Sequence, residues 1–266
     1  MPYPESPKRR ELRAALRAVT NHVASLDIHG FDSSEGEAHH IKILPMDLDG
    51  KAAPRPTFFT PYPASLLLNP DDDYDRDRPG YFDFDSLPAI HRKPIDCGRN
   101  MEEYFSHYVY VCALRRRDIA LNGLWTPVSL GDAPFVALDR YTFPEYITAK
   151  AFQIKDGPYP HAKAMIYNNL NGVDGQVLQG EAMVALRMII AQMRRARFLD
   201  HMIAPILLFS FMGPQHARLV EAYFDGTSLV MRPTRLFDLR QKNEATLKKF
   251  GQWFFGEPTG DTKKLP

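Results

Sequence analysis

The sequence contains little cysteine, no long apolar run and no excess of either charge. Its 266 residues include 2 cysteines, Cys97 and Cys112, which excludes a disulfide scaffold and favours two buried thiols in a reducing compartment. A net charge of +1 argues against a surface that attracts nucleic acid or acidic membrane as a whole. The apolar run from Met202 to Met212 is about half the 20 residues that a membrane-spanning helix needs. We therefore expect an intracellular protein, cytoplasmic or nuclear, with no membrane partner.

Proline, by contrast, is abundant, with 22 prolines against 16 glycines. Much of the excess lies in residues 45–94, where proline excludes long helices because it lacks a backbone N–H donor. The aromatic and leucine residues of this segment, among them Phe58 and Phe59, are too apolar for a free linker. We therefore predict a single domain over residues 1–266, in which the extended Pro-rich segment wraps over the core.

Helical and strand patterns divide the first part of the chain. Apolar residues at helical spacing predict a helix over residues 7–26, with Ser6 as its N-cap. Asn100 followed by Glu103 resembles a capping box and predicts a second helix over residues 101–121. The remaining predictions before residue 160 are a strand over 135–143 and, with the choice left open, a strand or a short helix over 146–154.

The last hundred residues have the clearest organisation. An apolar run ending at Gly213 fits a strand buried on both faces, and Asp225-Gly226 is a hairpin signal between two further strands. The predicted elements are a helix over 176–201, strands over 204–212, 218–224 and 228–232, and a helix over 244–255. The fold class predicted is α/β (α+β), with a three-stranded antiparallel meander flanked by long helices.

This order of elements resembles the core of the restriction-endonuclease-like, or PD-(D/E)XK, nuclease superfamily. The resemblance covers residues 175–256. The phrase LFSFMGPQHAR at residues 208–218, followed by YFDG at 223–226, also resembles a group of uncharacterised filamentous-fungal proteins, some of which are described as nuclease-like. The resemblance implies a site in which carboxylates converge on Mg²⁺ and a neighbouring lysine helps to activate water.

Residue by residue, the resemblance implies Glu181 as the acid of the helix and Glu221 or Asp225 as the acid of the second strand. The acid and lysine of the third strand should fall at residues 230–232, where no carboxylate stands and the base is Arg232. Arginine does not lose its proton near neutral pH and is a poor general base. We therefore expect a catalytically degenerate nuclease-like core that binds a protein or a nucleic acid, with Mg²⁺ bound only if the site is active.

Basic side chains of the same core are candidates for ligand contacts. His216 and Arg218 follow a turn between strands and have the chemistry to meet a phosphate or a carboxylate, together with Arg232. Four further basic residues are candidates for contact with nucleic acid as a ridge: Arg187, Arg194, Arg195 and Arg197. The competing interpretation is that they form a solvated helix face.

The alternative hypothesis is a small-molecule enzyme of an unlisted family, with a pocket between the Pro-rich segment and the C-terminal sheet. Aromatic clefts with a few polar groups are the usual ligand sites, and the candidate polar groups are His216, Arg218, Asp139 and Arg140. The sequence contains no nucleophile elbow, phosphate-binding loop or dinucleotide fingerprint. Whether the protein is an enzyme therefore stays open.

Two further patterns suggest metal ligands but lack a complete set. The acidic run at residues 71–77 has carboxylates at alternate positions, but Arg78 stands where a calcium loop needs glycine. His39 and His40 lie near two glutamates, but no cysteine or third histidine follows at zinc-site spacing. We expect a solvated loop at the first position and no metal site at either.

Overall fold

The computed structural model describes residues 5–70, 81–115, 123–131, 134, 135, 138, 140–142 and 145–266, and of residues 140–142 the backbone alone. Five α-helices lie in these residues: α1 (Pro7–Ala24), α2 (Ser33–Ala38), α3 (Pro94–Arg115), α4 (Gln179–Met193) and α5 (Glu244–Phe255). Short 3-10 helices lie at Ala64–Leu66, Phe84–Ser86, Ala89–His91 and Ala196–Phe198.

Thirteen strands lie in the same described part of the chain. They are β1 (Gly30–Phe31), β2 (Ile41–Ile43), β3 (Phe59–Thr60), β4 (Trp125–Pro127), β5 (Arg140–Thr142), β6 (Glu145–Ile154), β7 (Ala162–Asn171), β8 (Val177–Leu178), β9 (Ile206–Gly213), β10 (His216–Phe224), β11 (Leu229–Pro233), β12 (Phe237–Asp238) and β13 (Glu257–Pro258). The protein is therefore of mixed α and β class, as predicted.

The first helix is confirmed and the second begins earlier than predicted. In α1, the Ser6 hydroxyl accepts the backbone N–H of Arg9, and the helix ends at Ala24. The prediction that Asn100 caps the second helix is wrong, because α3 begins at Pro94. Proline suits the first turn of a helix, where its missing N–H leaves no hydrogen bond unmade. The predicted continuation to residue 121 lies outside the described residues.

The helix before the apolar strand is shorter than the sequence pattern indicates. We expected a helix over 176–201, whereas α4 ends at Met193. Arg195 is extended, with φ −81° and ψ 131°, and Phe198 in the following 3-10 helix is buried. The chain leaves the helix here because the turn brings this aromatic side chain into the core.

The predicted three-stranded meander is part of a much larger sheet. Strands β9, β10 and β11 are antiparallel neighbours, but they belong to a nine-stranded mixed sheet with the order β2-β11-β10-β9-β7-β6-β4, in which β12 also pairs with β10 and β5 with β6. The contacts β7–β9 and β2–β11 are parallel. The prediction missed β7 because its sequence follows Gly157, Pro158 and Pro160, which mark a break in the chain but not what comes after it.

The open choice over 146–154 resolves in favour of a strand, β6. Of the strand predicted over 135–143, the described residues form only β5. Two-stranded sheets, β1 with β8 and β3 with β13, complete the pairing in the described chain.

Side chains alternate between the two faces of the large sheet, as the strand geometry requires. Ile206 and Leu208 of β9 pack in a cluster with α1 and α4, and we call this side the α1/α4 face. Leu207 and Phe209 pack in a second cluster with α3 and α5, on the α3/α5 face. Two hydrophobic layers therefore enclose the central strands.

The Pro-rich segment contributes to the second of these layers. Phe58, Phe59 and Leu67 are buried in the cluster of the α3/α5 face, and β3 pairs with β13 near the C-terminus. Cys97 and Cys112 of α3 are buried and form no disulfide, as we expected. Within the described residues, none of the helices has both the length and the hydrophobicity needed to cross a membrane.

Candidate functional site

Glu181 forms a buried ion pair that occupies its whole carboxylate. It lies in the first turn of α4, where Oε2 accepts the backbone N–H of Leu178 at 2.8 Å. Arg218 of β10 donates from Nε to Oε1 at 2.8 Å and from Nη2 to Oε2 at 2.5 Å. A third Arg218 N–H bonds the carbonyl of Gln176. This two-point contact between guanidinium and carboxylate fixes both groups.

Glu221 forms a second buried pair, with Arg232 on the neighbouring strand. Its Oε2 lies 2.5 Å from Arg232 Nη1, and its two oxygens accept the backbone N–H groups of Thr57 and Phe58 at 2.9 and 2.7 Å. Burial raises the pKa of Glu221, although these N–H donors and Arg232 oppose the shift. The pair therefore fastens the Pro-rich segment to the sheet.

Asp225 is the acid of the β10–β11 hairpin. One oxygen accepts the backbone N–H groups of Thr227 and Ser228, as in an Asx turn, and the other lies 2.6 Å from the ammonium of Lys42. Burial acts to raise its pKa, but these hydrogen bonds together lower it. Its role in the structure is to close the hairpin.

The three acids implied by the nuclease resemblance do not come together. Glu181 meets Arg218 on the α1/α4 face, whereas Glu221, three residues along the same strand from Arg218, points to the α3/α5 face. Asp225 lies at the end of the hairpin. Each carboxylate already neutralises a cation, so this donor set does not fit Mg²⁺. Among the described residues, no group of three or more His, Cys, Asp or Glu side chains is placed to hold a metal.

The predicted ligand contacts are also separated. Arg218 and Arg232 are consumed by the two ion pairs, on opposite faces. His216 begins β10, and its Nδ1 is buried with no hydrogen-bond partner in the described residues. In the proposed basic ridge, Arg197 donates to the carbonyls of Ile154 and Lys155. At least one arginine of the ridge, Arg197, therefore has a structural role.

Other predicted residues lie elsewhere. Asp139 and the acidic run 71–77 are outside the described residues, and so is the side chain of Arg140. His39 does meet another histidine, with its Nδ1 3.0 Å from Nε2 of His22, but two imidazoles alone are not the metal cluster the sequence pattern would need.

A polar cluster that the sequence analysis missed lies on the α3/α5 face. Lys150 of β6 donates from Nζ to Glu102 Oε1 and to Ser106 Oγ, both at 2.8 Å, and the Ser106 hydroxyl donates to the same Glu102 oxygen. Glu102 and Ser106 are four residues apart on α3, so they lie on one side of the helix. The three side chains close a ring of hydrogen bonds.

This cluster borders a cavity of about 590 Å³, which we call the Lys150 cavity. It is bounded by α3, β4, β6, β7 and α5, and Tyr62 of the Pro-rich segment also borders it. Most of its wall is apolar, and the main apolar side chains are Val109, Trp125, Phe152, Met165, Phe254 and Phe255. Ser106, Lys150 and Glu257 supply polar groups. The polar groups are few and the wall is largely apolar, with several aromatic side chains, as in small-molecule sites.

A fully buried lysine supports the aromatic wall from behind. Lys163 Nζ donates to the carbonyls of Trp253, Phe254 and Gly256 at 3.0, 2.8 and 2.9 Å and lies 3.7 Å from the Trp125 ring centroid. Burial lowers the pKa of Lys163, yet three carbonyl acceptors match the three N–H donors of the ammonium form. The ammonium caps the C-terminal end of α5, where a cation is favourable.

The lysine at position 150 is a local sequence signal for the cavity. Lys150 lies in β6 two residues before the partly buried Phe152, so a charged side chain shares a face of the strand with an aromatic one. Its partners lie 44 and 48 residues away on α3, and no local spacing connects them.

Comparisons with protein-family models, with curated proteins and with solved structures find no match to this chain.

Proposed function

We propose that this protein binds a small molecule with an apolar body in the Lys150 cavity. The observation that carries the proposal is a half-exposed ammonium, held by Glu102 and Ser106, in the wall of a mostly apolar cavity. This proposal takes up the alternative drawn from the sequence, with a different set of polar residues.

The size and chemistry of the cavity support this function. Its volume of about 590 Å³ falls within the roughly 300 to 1,000 Å³ of small-molecule sites. Aromatic walls favour a ligand that leaves water, and a few fixed polar groups orient it. The hydrogen-bond ring holds Lys150 in place before a ligand arrives, which reduces the entropy lost on binding.

Fluorescence titration with the neutral dye Nile red tests the proposal. Ala113 lines the cavity, so Ala113→Trp should fill it and weaken dye binding by about tenfold or more, equivalent to about 1.4 kcal/mol. The matched control is Ala18→Trp, an exposed position of α1 on the other side of the sheet. Circular dichroism confirms that each variant is folded. Equal dye affinity in Ala113→Trp and wild type would refute the proposal.

A second candidate function comes from the nuclease resemblance: a degenerate core, over residues 175–256, that binds a protein or a nucleic acid. The observation that favours a non-catalytic form is that Glu181, Glu221 and Asp225 each neutralise a separate cation. Incubation of the protein with DNA or RNA and Mg²⁺ tests it. Cleavage by the wild type that disappears in Glu181→Gln or Glu221→Gln, each shown by circular dichroism to be folded, would show that the core is catalytic.

A further inference from the structure

The two charges of the Lys150–Glu102 pair differ in their access to the cavity. The side chain of Lys150 is 45% exposed, whereas that of its partner Glu102 is 4% exposed. Glu102 is absent from the residues that line the cavity, while Lys150 is among them. A ligand in the cavity therefore meets the cation directly and the carboxylate only through it.

The ammonium also has a hydrogen bond to give. Of its three N–H donors, one reaches Glu102 and one reaches Ser106, and no other described residue accepts from it. The Ser106 hydroxyl gives its proton to Glu102, so it offers the ligand no donor. The cluster thus presents one charged donor, which pairs best with an anionic oxygen.

The apolar wall extends from this donor along β6. Phe152 is two residues from Lys150 on the same face of the strand, about 7 Å away. Trp125 pairs in register with Ile154, four residues from Lys150, at about 13 Å along the strand. The cavity therefore has a cationic end and an aromatic body of about that length.

A second charged residue, Glu257, lines the cavity. It follows α5 in β13, beside Trp125, whose indole N–H donates to the carbonyl of Gly256. Its side chain is exposed to solvent, where water screens its field. Of the two charges, the Lys150 ammonium is the one that hydrogen bonds hold in place.

We infer that the ligand of the Lys150 cavity is an amphipathic monocarboxylate, with its carboxylate on the Lys150 ammonium and its alkyl or aryl body along Phe152, Trp125 and Phe254. The inference rests on the proposed function, since it names the class of molecule that the same cavity takes.

Displacement of Nile red by three molecules with the same ten-carbon chain tests the inference. We expect decanoate to displace the dye from the wild type at a concentration about tenfold lower than 1-decanol, because a charge-assisted hydrogen bond adds about 1.5 kcal/mol or more. Decylamine should compete no better than the alcohol, since the exposed cation would repel it. Lys150→Met should remove the preference for decanoate, and Lys150→Arg should retain most of it.

Lys155→Met is the matched control. Lys155 is an exposed lysine just after β6 and does not line the cavity, so its loss should leave the preference for decanoate unchanged. If Lys150→Met does not fold, the concentrations at which the three competitors displace Nile red from the wild type still test the inference. Equal displacement by decanoate and decanol, or stronger displacement by decylamine, would overturn the inference while leaving the proposed function intact. Absence of dye binding to the wild type would remove the proposed function itself.

Discussion

Two ion pairs that pack against the large sheet, Glu181–Arg218 and Glu102–Lys150, use charge in different ways. On the α1/α4 face, Glu181 and Arg218 are at most 1% exposed. Glu181 also accepts a backbone N–H, and Arg218 also donates to a backbone carbonyl. On the α3/α5 face, Lys150 lies at a cavity and retains a free donor. The first arrangement is saturated and holds the fold, whereas the second leaves binding capacity.

The largest effect should follow the loss of Arg218. Arg218→Met leaves the Glu181 carboxylate buried without its cation, which should lower the free energy of unfolding by about 3 to 5 kcal/mol. Urea unfolding followed by circular dichroism measures the change. The double variant Glu181→Gln, Arg218→Met is the control, and it should be more stable than the single variant. A loss below about 1 kcal/mol would mean that the pair behaves like a surface salt bridge.

A pH effect should come from His161, a buried residue of the α3/α5 face. Burial lowers the pKa of His161 from 6.5 to about 4, so between these values the unfolded chain binds a proton that the folded chain does not. Stability is therefore complete above about pH 7 and is lost as the pH falls, by about 2 kcal/mol between about pH 7.5 and 5.

Urea unfolding of wild type and His161→Gln at the two pH values measures this contribution. The variant should lose less stability on acidification than the wild type does. Some dependence should remain, because burial also lowers the pKa of His201. An equal loss in the free energy of unfolding on acidification of both proteins would show that water reaches His161 in the folded protein. Water would then enter the α3/α5 face beyond the Lys150 cavity.

Removal of Lys150 should be less costly than removal of Arg218. Lys150→Met takes the cation from Glu102, but solvent already screens the half-exposed Lys150 and Ser106 keeps its hydrogen bond to the carboxylate, so we expect a loss of about 1 to 2 kcal/mol in the free energy of unfolding. The double variant Glu102→Gln, Lys150→Met should recover part of it. If Lys150→Met costs as much free energy of unfolding as Arg218→Met under the same urea conditions, the contrast between these two ion pairs is wrong.

The smallest effect should come from the exposed pair at the hairpin. Lys42 is 48% exposed beside Asp225, and Lys42→Met should change the free energy of unfolding by about 0.5 kcal/mol or less. The hairpin keeps its backbone hydrogen bonds to Asp225. A thermal melt in low and in high salt checks this, and a loss above about 2 kcal/mol would give the acid a larger structural role than the sequence analysis or the contacts indicate.

Local patterns in the sequence predicted the elements that depend on neighbouring residues. The start of α1 follows from Ser6 and Pro7, and the β10–β11 hairpin follows from Asp225 and Gly226, because capping and turns are decided within a few residues. The beginning of α3 at Pro94 was missed because a weaker capping pattern at Asn100 competed with it.

The candidate site was beyond such patterns. The nuclease resemblance implied Glu181 and Glu221 as catalytic acids, whereas the partners they have in the structure depend on strand order and on which face of β10 each position occupies. The Lys150 cluster joins a helix to a strand more than 40 residues away. Contacts of this kind arise from tertiary packing, which sequence spacing does not encode.

The positions of Arg218 and Glu221 on one strand have a consequence for how β10 pairs with its neighbours. A slip of one residue in register would move every side chain of the strand to the opposite face. It would take Arg218 from Glu181 and Glu221 from Arg232 in the same step and would place both charges against apolar layers. The two ion pairs, one on each face of the sheet, therefore specify a single register for β10. Their acids are two of those that the nuclease resemblance implied as catalytic.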